Sequence, residues 1–358
     1  MHSSNIRVIK EEKFEDYFYQ KSLKKRSPFK VCFELTYKCN LSCCHCFVAE
    51  DPARKELNYK QVCLLLNQLA DSGCFYLIFT GGEIFLRPDT LKILAYAKEK
   101  GFHVTVFTNA TLITPEIVRA LKKININQMD ISIYGKSAQT HDSITGISGS
   151  WQKALKGAGL IREKDMPVCL KMIVMKPNLK EFKGVKELAR SLDIPLSYAC
   201  LIQPKMDGSR KPLAFRITPK QAIELEEENA ALLCDEKRNL QRKKQAFLRR
   251  KSIFYCDAGR NSLSISPYGQ MNLCVGHAFP GYDILKGGLS EAWEKLRSFV
   301  ESARPKINYR CGNCKFLAFC QSCPAESWLA KKDMYACVPY FKELARIEYL
   351  KNANPKRG

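Results

Sequence analysis

What most constrains the fold is an alternation. From about residue 31 the sequence passes repeatedly from apolar, β-rich runs to amphipathic helical patterns. The runs are VCFEL (31–35), FYLIFT (75–80), HVTVFT (103–108), QMDISIY (128–134), VCLKMIVM (168–175) and PLSYACLI (195–202). The clearest helical segment between them is 59–72, with Val62, Leu65, Leu66 and Leu69 at helical spacing. Asn58 is placed to cap its start and Gly73 to stop it. Segments 88–100, 114–123, 150–164 and 179–192 read the same way. Strand–helix alternation implies parallel pairing through right-handed crossovers. Six strands fall short of a closed eight-unit barrel. The expected fold class is therefore α/β, a partial (β/α)6 TIM-like barrel over residues 31–215, preceded by an N-terminal extension (1–30).

At residue 216 the pattern changes. The stretch to 255 is a strong helix former that starts acidic and carries eight Lys or Arg between 237 and 251. It reads as a basic helical linker with a solvated face, or as a docking face for an acidic peptide or nucleic acid. Residues 256–340 form a short-stranded, turn-rich, cysteine-dense domain, followed by a C-terminal tail (341–358). Within it, SLSISPYGQMNLC reads as a hairpin around a Pro-Tyr-Gly turn, and 290–302 as a helix.

Seventeen cysteines bear on the chemistry. The N-terminus has no apolar segment followed by a small-residue cleavage site, and no run of eighteen apolar residues exists. The expected location is the cytoplasm, without a membrane partner. Thiols stay reduced there, so metal or redox chemistry is the expected use of the cysteines. The formal charge of +22 gives a basic surface suited to solubility or to an acidic partner. Negatively charged metal–thiolate clusters would offset part of it.

The stretch CNLSCCHCF places Cys39, Cys43 and Cys46 at C-x3-C-x2-C, just after the first expected strand. A disulfide knot, a zinc site and an iron–sulfur cluster compete for it. Zinc favours four ligands in paired knuckles. Cys44 or His45 could supply a fourth, but each is hemmed in by its sequence neighbours. Three thiolates with no evident fourth suit a [4Fe–4S] cluster with one iron left open. FTGGEIFLRPD follows the second strand and offers Gly81, Gly82 and Glu83. Read alone, it is a simple strand-to-helix turn.

Together the two motifs resemble the radical S-adenosylmethionine (SAM) superfamily. The resemblance implies that Cys39, Cys43 and Cys46 hold the SAM-binding [4Fe–4S] cluster. Gly81, Gly82 and Glu83 would let backbone and carboxylate approach the SAM ammonium. Ser132 resembles the ribose contact, and Asn178 a residue near the SAM carboxylate. Reductive cleavage of SAM would yield methionine and a 5′-deoxyadenosyl radical that abstracts a substrate hydrogen. Thr108 and Asn109 are expected to line the pocket, and Cys44 and His45 to pack around the cluster without ligating it.

The C-terminal cysteines read Cys256-x12-Gly269-x4-Cys274, then Cys311-x2-Cys314-x5-Cys320-x2-Cys323, then Cys337. Two zinc knuckles are one reading, although seven cysteines do not divide into fours. The arrangement also resembles the SPASM domain, an auxiliary-cluster module of radical SAM enzymes. It departs by having two rather than three residues before Cys323. The resemblance assigns Cys256, Cys274 and Cys323 to one auxiliary [4Fe–4S] cluster. It assigns Cys311, Cys314, Cys320 and Cys337 to another. Cysteines 32, 44, 63, 74, 169, 200 and 234 are expected to be packing residues.

The function this implies is modification of a ribosomally made peptide or protein side chain. Expected partners are a leader-bearing peptide and an electron donor such as flavodoxin or ferredoxin. Thirty residues before the barrel are too few for a leader-recognition domain, so a separate small recognition protein is expected. No nucleic-acid partner is. Alternatives are tetrapyrrole tailoring in heme biosynthesis and formylglycine formation in sulfatases. Against the last, no eighth cysteine lies between Cys256 and Cys274. Outside catalysis, an iron–sulfur electron carrier or a zinc-dependent nucleic-acid binder would use the same thiols, but neither needs Gly81–Glu83. No acid or base announces itself; Tyr134, Lys171 and Asp207 are weak suggestions.

Overall fold

The structure is a computed structural model and describes residues 11–229, 252–306 and 309–353. After helix α1 (Glu11–Lys25), strands β1 (Lys30–Thr36), β2 (Tyr76–Gly81), β3 (His103–Thr108), β4 (Gln128–Ser132), β5 (Val168–Ile173) and β6 (Leu196–Ala199) pair in parallel, each with the next. All six fall on the expected runs. The crossovers carry α2 (Tyr59–Asp71), α3 (Thr90–Glu99), α4 (Pro115–Ile124), α5 (Ala138–Thr145), α6 (Ser150–Arg162) and α7 (Phe182–Ser191). Asn58 and Gln61 close a capping box on α2, and Gly73 ends it at φ 85°. Segment 179–192 is not one helix: it begins as a 3-10 turn, Leu179–Glu181, and only then becomes α7.

Strand alternation sorts the side chains. Val31, Phe33, Leu35, Leu77, Phe79, Val104, Val106, Met129, Ile131, Leu170 and Met172 are buried against the helices, with Leu65, Leu66, Leu69, Ile93, Leu94 and Leu121 facing them. Each such side chain contributes roughly 1.5–3 kcal/mol. The intervening positions face the inside of the barrel and are mostly small or polar: Cys32, Glu34, Thr80, Thr105, Gln128, Asp130, Ser132, Cys169 and Lys171. There Lys171 Nζ lies 3.1 Å from Asp130 Oδ2.

The expected domain boundary at 256 does not interrupt the sheet. Strand β7 (Ser262–Ile265) pairs in parallel with β1, and β8 (Gln270–Asn272) and β9 (Tyr282–Asp283) continue antiparallel. The strand order is β6-β5-β4-β3-β2-β1-β7-β8-β9. The expected hairpin is β7–β8. Leu263, Ile265, Met271 and the α9 residues (Ile284–Ser302) Trp293, Leu296 and Val300 join the same core. Of the helix expected from 216, α8 (Pro219–Glu228) is present; the basic run 237–251 lies outside the described residues. Helix α10 (Pro324–Lys331) is followed by α11 (Pro339–Ala353), which makes the expected tail helical over 341–353 and buries Phe341, Leu344 and Ala345. Among the described residues no helix is long and apolar enough to cross a membrane.

Candidate functional site

The cysteine loop follows β1 and is gripped from three sides. From β2, Gly82 N donates to Thr36 O (2.7 Å) and Glu83 N to Lys38 O (2.8 Å). From α5, an element the sequence pattern did not reveal, the last carbonyls accept: Ser42 N donates to Thr145 O (2.8 Å) and Cys44 N to Ile144 O (2.9 Å). These are helix-end carbonyls that lack an intrahelical partner. From the end of β3, Asn109 Nδ2 donates to Asn40 Oδ1 (2.9 Å) and lies 3.9 Å from Cys39 Sγ.

This geometry changes the account of the two glycines. A Cβ on Gly81 would lie 2.1 Å from Thr36 O, and one on Gly82 2.2 Å from Lys38 O. The side chains are missing first because backbone at the end of β1 and the start of the cysteine loop occupies the space. Glu83 is fully buried and likewise engaged. Its Oε1 accepts from Phe85 N (3.1 Å) and its Oε2 from Asn109 N (2.7 Å), while Thr108 Oγ1 donates to both oxygens (2.9 Å each). Burial raises its pKa against these hydrogen bonds. Asn178, also fully buried, spends its amide on backbone: Nδ2 donates to Tyr134 O and Ile173 O (3.0 Å each), and Oδ1 accepts from Met175 N (2.7 Å). Ser132 ends β4 on the inner face, half-buried.

Cys39, Cys43 and Cys46 carry free thiols. Burial raises the pKa of all three, and for Cys43 the charges of Cys46 and Cys39 raise it further. Thiols crowded this closely gain from a shared cation that takes their protons. Among the described residues no three His, Cys, Asp or Glu side chains are drawn in tightly enough for a single metal ion. The donor set is three thiols without an oxygen ligand, which suits an iron–sulfur group. Beside it, burial lowers the His45 pKa to about 4, and the neutral ring stands edge-on to Tyr134 at 4.7 Å. Cys43 and Cys44 pack with Tyr134, Ile144, Met175 and Ile202.

The remaining thiols form two groups. In one, the charges of Cys323 and Cys256 both act on Cys274. In the other, Cys320 and Cys314 act on Cys337, with Cys311 one turn from Cys314 through a Cys314 N to Cys311 O bond (3.1 Å). Cys74 is buried, and Cys32, Cys44, Cys63, Cys169 and Cys200 are half-buried; Cys234 lies outside the described residues. A cavity of about 610 Å³ at the β1–β7 junction reaches Cys32 and Cys274 from below, lined also by Tyr19, Tyr76 and Asp257. It lies at the opposite end of β1 from the Cys39 loop. Sequence reasoning missed Asn40, the α5 carbonyls and the ties on Glu83, all of which join residues distant in sequence.

Residues 33–189 match the Radical SAM superfamily, and this part of the chain is a radical SAM domain. The family implies a [4Fe–4S] cluster and SAM. An AdoMet-dependent heme synthase of Methanosarcina barkeri is 29% identical over 335 residues, covering 88% of this chain and 96% of that protein. The antilisterial bacteriocin subtilosin biosynthesis protein AlbA of Bacillus subtilis is 27% identical over 325 residues, covering 83% of this chain and 67% of that protein. Other curated relatives are matched over about half their own length. Among solved structures, Streptococcus suis SuiB bound to precursor peptide SuiA has a TM-score of 0.69 at 18% identity. The match covers 96% of this chain and 83% of that one, and shows a shared fold.

Proposed function

We propose that this radical SAM enzyme abstracts a hydrogen atom from a peptide or protein side chain admitted to the barrel. Cys39, Cys43 and Cys46 hold the SAM-binding [4Fe–4S] cluster. When bound, cluster and SAM supply a 5′-deoxyadenosyl radical. The chain's own residues place that chemistry. The β2 end, α5 and the β3 end hold the thiol loop over the interior, and Gly81–Glu83 and Ser132 border the space for SAM. Glu83 and Asn178 act mainly by fixing the backbone there. Cys256, Cys274 and Cys323, and Cys311, Cys314, Cys320 and Cys337, hold two auxiliary clusters. A flavodoxin or ferredoxin supplies electrons, and a separate small protein presents the leader; the setting is the cytoplasm.

The observation that carries the peptide reading is the inner face of the sheet. Its large side chains with apolar bodies on β2 to β5 are Tyr76, Ile78, Phe107 and Ile173, set among hydroxyls, Gln128 and the Asp130–Lys171 pair. Such a surface satisfies amide groups and polar side chains better than it covers a flat apolar macrocycle. AlbA, a bacteriocin biosynthesis protein, and SuiB, bound to a precursor peptide, support it. A second reading, tetrapyrrole tailoring, is favoured by the match along 96% of the M. barkeri heme synthase. The two separate in one assay: reduced, anaerobic enzyme with SAM, given either any short peptide whose reading frame adjoins its gene or an iron coproporphyrin. Peptide-dependent 5′-deoxyadenosine and a peptide mass change support the first reading. Porphyrin-dependent release with no peptide response overturns it.

A further inference from the structure

Lys171 is the one Lys or Arg on strands β2 to β6, and it stands on their inner face. The register fixes its depth. Ser132, at the border of the space for SAM, is the Cα partner of Lys171. Asp130, one inner-face position earlier on β4, pairs with Phe107 on one side and Cys169 on the other. The lysine stem reaches back to that deeper layer. Its Nζ lies 3.1 Å from Asp130 Oδ2 and 5.8 Å from the centre of the Phe107 ring. Two residues along a strand span roughly 7 Å. The ammonium therefore sits below the SAM border, at the depth of a substrate held under SAM.

The ion pair is lopsided. The Asp130 side chain is 8% exposed and both its oxygens are engaged, since Gln128 Nε2 donates to Oδ1 (3.0 Å). The Lys171 side chain is 40% exposed, and Asp130 is its sole ionic or hydrogen-bonding partner among the described residues. An ammonium has three donors. The buried carboxylate thus holds the stem, while a positive head with unspent donors faces the barrel interior. We propose that Lys171 anchors a carboxylate of the substrate beneath SAM: an acidic side chain of a peptide, or a propionate of a tetrapyrrole. This rests on reading the barrel interior as the substrate site. The anchor selects ligands with a free acid and sets which of their hydrogens lies nearest the radical.

The test is equilibrium dialysis of the anaerobic holoenzyme with SAM and without reductant, so that no turnover occurs. Two matched pairs of probes are used. One is iron coproporphyrin III with its tetramethyl ester; the other is acetyl-glycyl-glutamyl-glycinamide with its glutaminyl counterpart. Wild type should bind at least one acidic probe about tenfold more tightly than its neutral counterpart. Lys171→Met should bind both members of that pair alike, and Lys171→Arg should restore most of the preference. Lys171→Met strands the Asp130 carboxylate, so the Lys171→Met, Asp130→Asn double variant is measured beside it and should show the same selective loss. No preference for an acid in the wild type, a preference that survives in both methionine variants, or a loss that is matched by a loss of SAM affinity overturns the anchor. Lys171-dependent binding of the porphyrin alone would support the anchor and sink the peptide reading, and that of the tripeptide alone would support it and sink the tetrapyrrole one.

Discussion

A methyl group at Gly82 would sit 2.2 Å from the Lys38 carbonyl oxygen and 2.8 Å from that of Tyr37. Neither backbone atom can move without shifting the cysteine loop. Gly82→Ala should therefore cost about 1–3 kcal/mol and lower the bound iron by one cluster; wild-type melting and iron content would refute the clasp. Glu83→Gln tests the neighbouring tie. An amide must present its NH2 toward donors that now meet a carboxylate, at a cost of roughly 1.5–3 kcal/mol, so the variant should melt lower even without SAM. Unchanged melting with a fall in SAM affinity would assign Glu83 to the ligand instead. Glu34, 1% exposed, accepts from Tyr37 Oη at 3.1 Å, while its Oε1 has no partner. Burial lifts its pKa from 4.5 to about 7, partly opposed by the tyrosine. The folded state prefers the proton. Its contribution is full below pH 4.5 and is lost as pH rises toward 7, by at most about 3 kcal/mol at 1.36 kcal/mol per pH unit. Denaturation of wild type and Glu34→Gln across that range should show the wild type weakening relative to the variant. Parallel profiles would remove Glu34 from the account.

At the scale of elements, thiol dependence should be uneven. Residues 262–303 bury Leu263, Ile265, Met271, Leu273, Ile284, Leu289, Trp293, Leu296 and Val300, and β7 is bonded to β1. Residues 309–338 bury few apolar side chains: Leu317, Pro324, Ala325, Leu329 and Val338. After iron is chelated, trypsin should cut first at Lys315 and at Lys331–Lys332, with 262–303 protected. Equal cleavage rates would mean that the sheet does not support the later segment's neighbour. Residues 262–303 thus take their support from the sheet. The sequence hid it because SLSI and QMN are too short to declare a partner, and β7 finds β1 across more than 220 residues. The six barrel strands were legible, since their buried and inner positions alternate within each run. Helix α5 was not: AQTHDSIT lacks an apolar stripe, and its role is played by its terminal carbonyls. That Cys39, Cys43 and Cys46 share one loop could be read from spacing. The ties that set Glu83 and Asn178 could not, because their partners are defined only by the fold.

For the whole molecule, the continuous sheet places three sets of thiols along one body. The Cys39 loop crowns β1, Cys274 follows β8, and the Cys337 group lies before α11. The central claim is that the loop gripped by β2, β3 and α5 supports reductive cleavage of SAM. Quantifying 5′-deoxyadenosine under anaerobic, reducing conditions tests it most directly. The wild-type enzyme should release it together with an equal amount of methionine, and the Cys39→Ala, Cys43→Ala, Cys46→Ala triple variant should release none while retaining its other iron. Release at the wild-type rate from that triple variant would contradict the account.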